Sequence, residues 1–186
     1  MGNYMSSFFG RMMELWSGGE VKVLLVGLDA AGKTTIMYKL VVDETFTTTP
    51  TLGSQVEQLT YKNTNFLMWD MGGQESCRSS WEVYYPNTKA VIFVVDSSDR
   101  ERIAECRKEL ATLLKHPELK DAVVLVYANK QDLATAMPPS EISEALALSS
   151  IRDHSWHIQR SCGLTGEGLF EGLEWLVARL EEGARS

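Results

Sequence analysis

The segment that opens at Gly27 combines glycines, a lysine and a hydroxyl in a spacing suited to holding phosphate. Four residues separate Gly27 from Gly32, and Lys33 and Thr34 follow directly. Glycines allow the backbone to curl until successive N–H groups point inward at an anion. Lys33 is then expected to reach the β- and γ-phosphates of a nucleotide, and the Thr34 hydroxyl to coordinate Mg²⁺. The alternative is a glycine-rich turn followed by an exposed lysine.

A second polar segment, which begins at Asn129, can distinguish one base from another. It follows the apolar stretch 122–127, and ligands of α/β sheets bind beyond the carboxyl ends of the strands. The carboxylate of Asp132 can accept hydrogen bonds from both N1–H and the exocyclic amine of guanine, a donor pair that adenine lacks. Asn129 is expected to tie neighbouring loops together, and the stem of Lys130 to cover the base. In isolation the segment would suit an ordinary polar loop.

Asp70 closes another apolar stretch, and two glycines follow it at positions 72 and 73. A carboxylate in this place can hold Mg²⁺ through a water molecule. The N–H of Gly73 is expected to sense a γ-phosphate, with Gly72 supplying backbone freedom. This segment and the phosphate loop together predict one site for a nucleoside triphosphate and its Mg²⁺.

Apolar stretches of strand length alternate with longer segments of helical periodicity, which predicts an α/β fold. Two strands flank a polar turn and form a hairpin, so a six-stranded, mostly parallel sheet with one antiparallel edge strand is expected. Helices should cover both faces, and Ser140 is expected to cap one of them. The predicted strands are 21–26, 56–61, 65–70, 90–95, 122–127 and 154–160, and the other predicted helices are 33–41, 100–115 and 168–180.

Composition limits the function classes open to the chain. Its 186 residues fit a single domain, and 44% hydrophobic and 23% charged residues are typical of a folded protein. A formal net charge of −7 argues against a nucleic-acid partner, because binding a phosphate backbone requires clustered lysine and arginine. The three cysteines are widely spaced and indicate neither a disulfide framework nor a zinc site. A monomer is expected.

Residues 1–18 are predicted to form an amphipathic, membrane-binding segment ahead of one domain at 19–186. Gly2, with a serine at position 6, satisfies the acceptor pattern for N-myristoylation. A helix here could lie in a membrane interface or pack on the protein's own surface. Its large apolar residues recur at roughly helical spacing, as Phe8, Phe9, Met12, Met13, Leu15 and Trp16.

Four motifs together resemble those of Ras-type GTPases, and specifically of the Arf and Arf-like family, along nearly the whole chain. The stretch 66–70 together with 78–81 is most similar to the fifth subgroup of Arf-like proteins. The four motifs are Gly-Leu-Asp-Ala-Ala-Gly-Lys-Thr at 27–34, Pro-Thr-Leu-Gly at 50–53, Trp-Asp-Met-Gly-Gly-Gln-Glu at 69–75 and Asn-Lys-Gln-Asp at 129–132.

The resemblance implies a P-loop NTPase fold that binds GTP or GDP with Mg²⁺ and hydrolyses GTP. Gln74 matches the residue that orients the attacking water, and Thr51 matches a switch threonine that closes over Mg²⁺. The implied metal residues are Thr34, Thr51 and, through water, Asp70. The remaining implied nucleotide contacts are Leu28, Asp29, Ala30, Ala31, Thr35, Cys162, Gly163 and Leu164.

Regulators are also implied. Only about 17 residues separate Thr34 from Thr51, too few for the helical insertion through which heterotrimeric G-protein α subunits supply an arginine. Intrinsic turnover is therefore expected to be very slow and to need a GTPase-activating protein that inserts an arginine. The family further implies an exchange factor, effectors at the switch regions, and recruitment through an acylated N-terminus to membranes of the Golgi or trans-Golgi network in vesicle traffic.

Two positions depart from the family pattern. Many Arf proteins have phenylalanine where this chain has Ser54. That residue belongs to an aromatic effector patch, expected here to comprise Ser54, Trp69, Trp81 and Tyr84. Gly163 stands where the family usually has alanine, and its N–H could still donate to guanine.

Two other functions would use the same nucleotide site. A GTP-binding adaptor would keep the pocket and scarcely hydrolyse, which the presence of Gln74 disfavours. A P-loop kinase for small nucleotides is disfavoured by the segment 129–132 and by the lack of an arginine-rich lid.

Overall fold

The computed structural model describes residues 20–42, 51, 53–62 and 64–184. The predictions for residues 1–18, including Gly2, lie outside these ranges. The described residues form a six-stranded sheet in the order β2-β3-β1-β4-β5-β6, in which β2 is antiparallel to β3 and all other neighbours are parallel. The strands are β1 Val21–Val26, β2 Ser54–Tyr61, β3 Thr64–Met71, β4 Ala90–Asp96, β5 Val123–Asn129 and β6 Trp156–Arg160.

Helices cover both faces of this sheet, so the predicted fold class is confirmed. The helices α1 and α5 pack on one face, and α3 and α4 pack on the other. Within the described ranges, no helix is both long and apolar enough to cross a bilayer. The helices are α1 Lys33–Val42, α2 Glu75–Arg78, α3 Ile103–Leu114, α4 Pro139–Ala145 and α5 Leu169–Ala184, with 3₁₀ turns at Trp81–Tyr84, Pro117–Leu119 and Leu148–Ser150.

The central strands are apolar throughout because both of their faces are covered. In β1, Leu24 and Val26 join the core under α3 and α4, whereas Val23 and Leu25 join the core under α1 and α5. Alternate residues of a strand point to opposite faces, so a strand between two helical layers shows a continuous apolar run. The loops that follow these strands are therefore held on a rigid base.

The prediction that Ser140 caps a helix is wrong. The helix α4 begins at Pro139, its N-cap is Pro138, and no side chain bonds to its first N–H groups. Proline suits the first turn of a helix because its φ is already close to the helical value and its missing N–H is not needed there.

Two other element boundaries differ from the prediction, and at each a side chain contacts a backbone group. The helix α3 begins at Ile103 and not at position 100, since the Asp99 carboxylate accepts a hydrogen bond from the Arg102 N–H at 3.2 Å. The strand β6 begins at Trp156, two residues later than predicted. The ring of His154 instead makes a 3.0 Å contact with the carbonyl of Leu119.

Candidate functional site

A cleft of about 370 Å³ lies beyond the carboxyl ends of β1, β3 and β5. This edge of a parallel sheet is where ligands of α/β folds bind. The structure brings nine of the nineteen predicted nucleotide residues, together with Gln74, to its walls. The residues lining it are Asp29, Ala30, Gly32, Lys33, Thr34, Thr35, Thr51, Gly73, Gln74 and Lys130.

The loop between β1 and α1 has a backbone that only glycine fits at two points. Gly27 has φ +143°, and a β-carbon there would lie 2.3 Å from the carbonyl oxygen of Val94. Gly32 has φ +94°, and a β-carbon would lie 2.5 Å from the Asn129 side chain. The loop therefore curls at the start of α1, which presents N–H groups and a helix N-terminus to an anion.

Lys33 closes this loop from within. Its ammonium donates to the carbonyls of Gly27 and Leu28 at 3.1 and 2.8 Å, and the side chain is buried. Burial lowers the pKa of Lys33 to about 8, although Asp70 and Asp29 act in the opposite direction. A partly desolvated cation of this kind favours binding of a phosphate oxygen, which would restore its charge compensation.

Three oxygen-bearing side chains meet beside the lysine. The hydroxyls of Thr34 and Thr51 lie 3.0 Å apart, and both donate to the same carboxylate oxygen of Asp70, from Thr51 at 3.1 Å. The other oxygen of Asp70 is buried without a hydrogen-bond partner among the described residues. Burial raises the pKa of Asp70, while the bonds from the threonines and the charge of Lys33 oppose this effect. Mg²⁺ prefers oxygen ligands such as these hydroxyls and this carboxylate, and the unbonded oxygen of Asp70 is available to it.

The two glycines after Asp70 are required by close approach, which corrects the expected role of Gly72. Neither glycine has a positive φ, so neither position requires glycine for its backbone conformation. A β-carbon on Gly72 would lie 2.6 Å from the Thr51 carbonyl, and one on Gly73 would lie 2.5 Å from the Lys33 ammonium. The Gly73 carbonyl accepts from the N–H of Asp29 at 3.1 Å, which joins this segment to the phosphate loop.

Gln74 lines the cleft at the entrance to α2. Its backbone is extended, with φ −62° and ψ 146°, and its side chain does not cap the helix. The amide is therefore free of local backbone bonds and can orient a water molecule beside the phosphate site.

Asn129 joins two of the loops, the geometry that the sequence predicts for it. Its buried side chain donates to the carbonyl of Ala31 at 2.8 Å and accepts from the N–H of Gly163 at 2.9 Å. A β-carbon on Gly163 would lie 3.1 Å from the Ile36 side chain, so the missing methyl group leaves this junction uncrowded.

The remaining base-site residues lie on either side of this junction. The carboxylate of Asp132 is exposed and accepts a hydrogen bond from the thiol of Cys162, with a sulfur–oxygen distance of 3.3 Å. Leu164, two residues after Cys162, is also exposed. Lys130 lines the cleft and has a left-handed backbone with φ +64°.

Two further residues near the cleft were not predicted from the sequence. Asp96, the last residue of β4, accepts from the Lys130 ammonium at 2.6 Å. Burial opposes ionisation of Asp96, but the bonds from Lys130 and Ser98 outweigh it and lower the pKa. Arg78 donates to the Gly73 carbonyl at 2.8 Å. Asp96 could have been found as an acidic residue at the end of a strand, and Arg78 as an arginine one helical turn after Gln74.

Burial of two tryptophans corrects the expected effector patch. Trp81 is 2% exposed and donates from its indole to the Gly72 carbonyl at 2.9 Å, so it is a core residue. Trp69 is 5% exposed and lies under Tyr84, with ring centroids 5.3 Å apart. Ser54 begins β2 opposite Met71. In this conformation only Ser54 and Tyr84 reach the surface of the predicted patch.

Comparison with known proteins agrees with this geometry. Residues 6–180 match the ADP-ribosylation factor family. The chain is 55% identical to human ADP-ribosylation factor-like protein 5A over 177 residues, which cover 95% of this chain and 99% of that protein. It is 50% identical over 182 residues to ADP-ribosylation factor-like protein 5 of Dictyostelium discoideum, covering 98% and 100%.

The chain belongs to the ADP-ribosylation factor family. The resemblance to the fifth Arf-like subgroup is thereby confirmed, and so is the activity: it is a small GTPase, of a family that binds GTP and GDP and hydrolyses GTP. The alternative of a nucleotide kinase is excluded.

A solved structure supports the same fold. The Arl6 BBS3 small GTPase from Trypanosoma brucei, with the bound nucleotide analogue GppNp, superposes with a TM-score of 0.82 at 37% identity. The match covers 88% of this chain and 98% of that one. As an Arf-like GTPase, the chain works with regulators and effectors.

Proposed function

We propose that the chain is a Mg²⁺-dependent switch that hydrolyses GTP slowly and recruits effectors to Golgi membranes in vesicle traffic. The observation that carries this proposal is the meeting of Thr34, Thr51 and Asp70 beside Lys33 in one cleft. Thr51 comes from the first switch, so its place in this cluster links the conformation of that switch to the nucleotide.

The chain's own residues would promote hydrolysis by position and charge. The phosphate-loop N–H groups and Lys33 hold the β- and γ-phosphates, and Gln74 orients a water molecule in line with the γ-phosphoryl group. Mg²⁺, held by the hydroxyls of Thr34 and Thr51 and by Asp70, would supply charge neutralisation on the phosphate oxygens. The remaining negative charge of the transition state needs a further cation.

That cation is the reason to propose a GTPase-activating protein. Among the described residues that line the cleft, none is an arginine. Two arginines contact the cleft wall from behind but are already paired with carboxylates: Arg78 with Glu105 at 2.6 Å, and Arg102 with Asp29 at 2.9 Å. An arginine supplied by a partner typically accelerates such hydrolysis by about 10³–10⁵.

Single-turnover hydrolysis of bound GTP, alone and with a Golgi-membrane extract as the source of activator, tests this proposal. The extract should accelerate the wild type and leave Gln74→Leu unchanged, while GDP affinity is preserved in both. The same replacement outside the cleft, Gln58→Leu on the exposed side of β2, is the control. Stimulated turnover in Gln74→Leu would overturn the role of Gln74, and no stimulation of the wild type would favour an adaptor that scarcely hydrolyses.

Membrane recruitment is proposed to use the acylated Gly2 and the apolar residues of the segment 1–18. One myristoyl chain gives a binding constant of only about 10⁴ M⁻¹, so a second apolar contact is needed for stable attachment. Flotation of the N-myristoylated chain with liposomes should be strong with a GTP analogue and weak with GDP, and Gly2→Ala should remove both. Equal flotation with the two nucleotides would contradict the coupling.

A further inference from the structure

A groove of about 480 Å³ lies between α3 and the segment 146–154, which leads into β6. We call it the α3–β6 groove. Its wall residues precede β6 or occupy the last two turns of α3, so it opens near the amino ends of the parallel strands. The nucleotide cleft lies at the carboxyl ends of the same strands, on the opposite edge of the sheet.

The rim of the α3–β6 groove is cationic in a chain whose formal net charge is −7. Arg107, Lys115 and Arg152 line it, and all three are exposed. Within the described part of the chain, none of these three side chains makes a hydrogen bond or an ion pair. Asp153 is the only acidic residue among the described lining residues. An acidic partner could therefore pair with these cations without breaking an existing contact of their side chains.

The floor of the groove is apolar and recessed. Leu110 and Leu146 line the groove and are buried, whereas Leu114 and Ile151 line it and are only partly buried, so they leave apolar surface for a ligand. A flat surface such as a membrane cannot reach such a floor, whereas a side chain that projects from a peptide can. Apolar anchors inserted into a pocket and surrounded by charged contacts are the usual arrangement at a peptide-binding surface.

We infer that the α3–β6 groove binds an acidic segment of a partner protein, anchored by one or two large apolar side chains. Because the groove lies at the opposite edge of the sheet from the nucleotide cleft and no switch residue lines it, the GDP and GTP forms bind this segment equally well. The groove is thus distinct from an effector surface at the switches, and its test does not depend on hydrolysis.

Phage-displayed random dodecapeptides, selected on the immobilised GDP-loaded full chain, provide the probe. The selected peptides should be acidic and should carry Leu, Ile, Phe or Trp. Synthetic copies should bind the GDP and GTP-analogue forms with equal affinity in fluorescence anisotropy. Peptides that are neutral or basic, an absence of selection over parent phage, or binding to one nucleotide form only would overturn the inference.

Variants of the full chain locate the binding site. The double variant Arg107→Glu/Arg152→Glu should weaken peptide binding by about tenfold or more, since each reversed charge repels the peptide. Lys108→Glu reverses an exposed cation on α3 that does not line the groove, and should leave affinity unchanged. Ala111→Trp fills the groove without changing charge and should also abolish binding.

Separate measurements test whether the variants fold and whether the groove binds a membrane in place of a peptide. The thermal midpoint and GDP affinity of each variant should match those of the wild type, because the altered side chains are exposed and distant from the cleft. Phosphatidylserine vesicles should not distinguish the wild type from the double variant. Vesicle binding that the double variant loses, in the absence of selected peptides, would assign the groove to a membrane and overturn the inference.

Discussion

The hydroxyl of Thr51 lies 3.0 Å from the hydroxyl of Thr34, and both donate to one oxygen of Asp70. Thr34 belongs to the first turn of α1, whereas Thr51 lies in the connection from α1 to β2. This relationship places a residue of the first switch in direct contact with the phosphate loop and with the end of β3. The hydroxyl of Thr51 makes both contacts, and serine carries the same group.

Thr51→Ala should therefore weaken Mg²⁺ binding, and Thr51→Ser should not. Loss of one oxygen that contacts the metal site should raise the Mg²⁺ concentration needed for half-maximal retention of a GTP analogue by about tenfold. Mg²⁺ titration of fluorescent-nucleotide release measures this concentration. Thr60→Ala, in the exposed part of β2, is the control for loss of a threonine. Equal behaviour of the alanine and serine variants would contradict the role of the hydroxyl.

Lys33 should make GDP binding dependent on pH in the alkaline range. Burial lowers the pKa of Lys33 from 10.5 to about 8 in the nucleotide-free protein, and a phosphate would raise it again by favouring the charged form. Binding at pH 8 should thus take up about half a proton, and affinity should decrease by up to about tenfold per pH unit above 8. Isothermal titration in buffers of different ionisation enthalpy measures the uptake.

The same shift affects the stability of the nucleotide-free protein. Between about pH 8 and 10.5 the folded state holds fewer protons at Lys33 than the unfolded state, so this residue makes the unfolding free energy rise with pH in that window.

Two variants test the assignment of the proton uptake on GDP binding to Lys33. Lys33→Arg removes a titrating group and should abolish the proton uptake, while Lys39→Arg in the same helix should retain it. A GDP affinity that stays constant to pH 9.5 would refute the assignment.

Asn129→Asp should accelerate GDP release. The acceptor for the Gly163 N–H is kept, but the donor to the Ala31 carbonyl is replaced by a carboxylate oxygen that repels it. Loss of one buried bond at about 1–3 kcal/mol predicts a release rate about ten to a hundred times faster. Stopped-flow release of a fluorescent GDP measures the rate. Asn65→Asp makes the same change at an exposed position of β3 and should have no effect. An unchanged rate in Asn129→Asp would disprove the coupling of the two loops.

Arg78→Ala should destabilise the fold near the second switch. The side chain of Arg78 is 7% exposed and bonds to the Gly73 carbonyl, Glu105 and Glu109. Its removal leaves two carboxylates on α3 without this cation and should lower the unfolding free energy by about 2–3 kcal/mol. Urea denaturation provides the measurement.

Arg100→Ala is the matched control for that change. Arg100 pairs with Glu141, but both side chains are exposed, so the loss should stay below about 1 kcal/mol. Equal losses in the two variants would show that burial of Arg78 contributes nothing.

The alternation of strands and helices and the position of the phosphate loop could be predicted from the sequence. Both depend on local chemistry: a strand covered on two faces is a continuous apolar run, and a curled loop needs glycine at 27 and 32. The predicted bounds of β1, Val21–Val26, agree with the structure. The prediction for Ser140 was wrong because α4 begins at a proline, and the predicted start of α3 was wrong because the Asp99 carboxylate bonds to the Arg102 N–H.

Residue types and spacing by themselves determined the GTPase site of this protein, because each motif carries its chemistry within a few consecutive residues. The tertiary structure decided which distant residues meet, as Asp96 meets Lys130 and Arg78 meets α3, and it placed Arg107 and Arg152 on the rim of one groove. It also placed Trp81 in the core and not in a surface patch. The physical reason is that burial and long-range contact depend on the order in which strands pair and helices pack, which no local pattern contains.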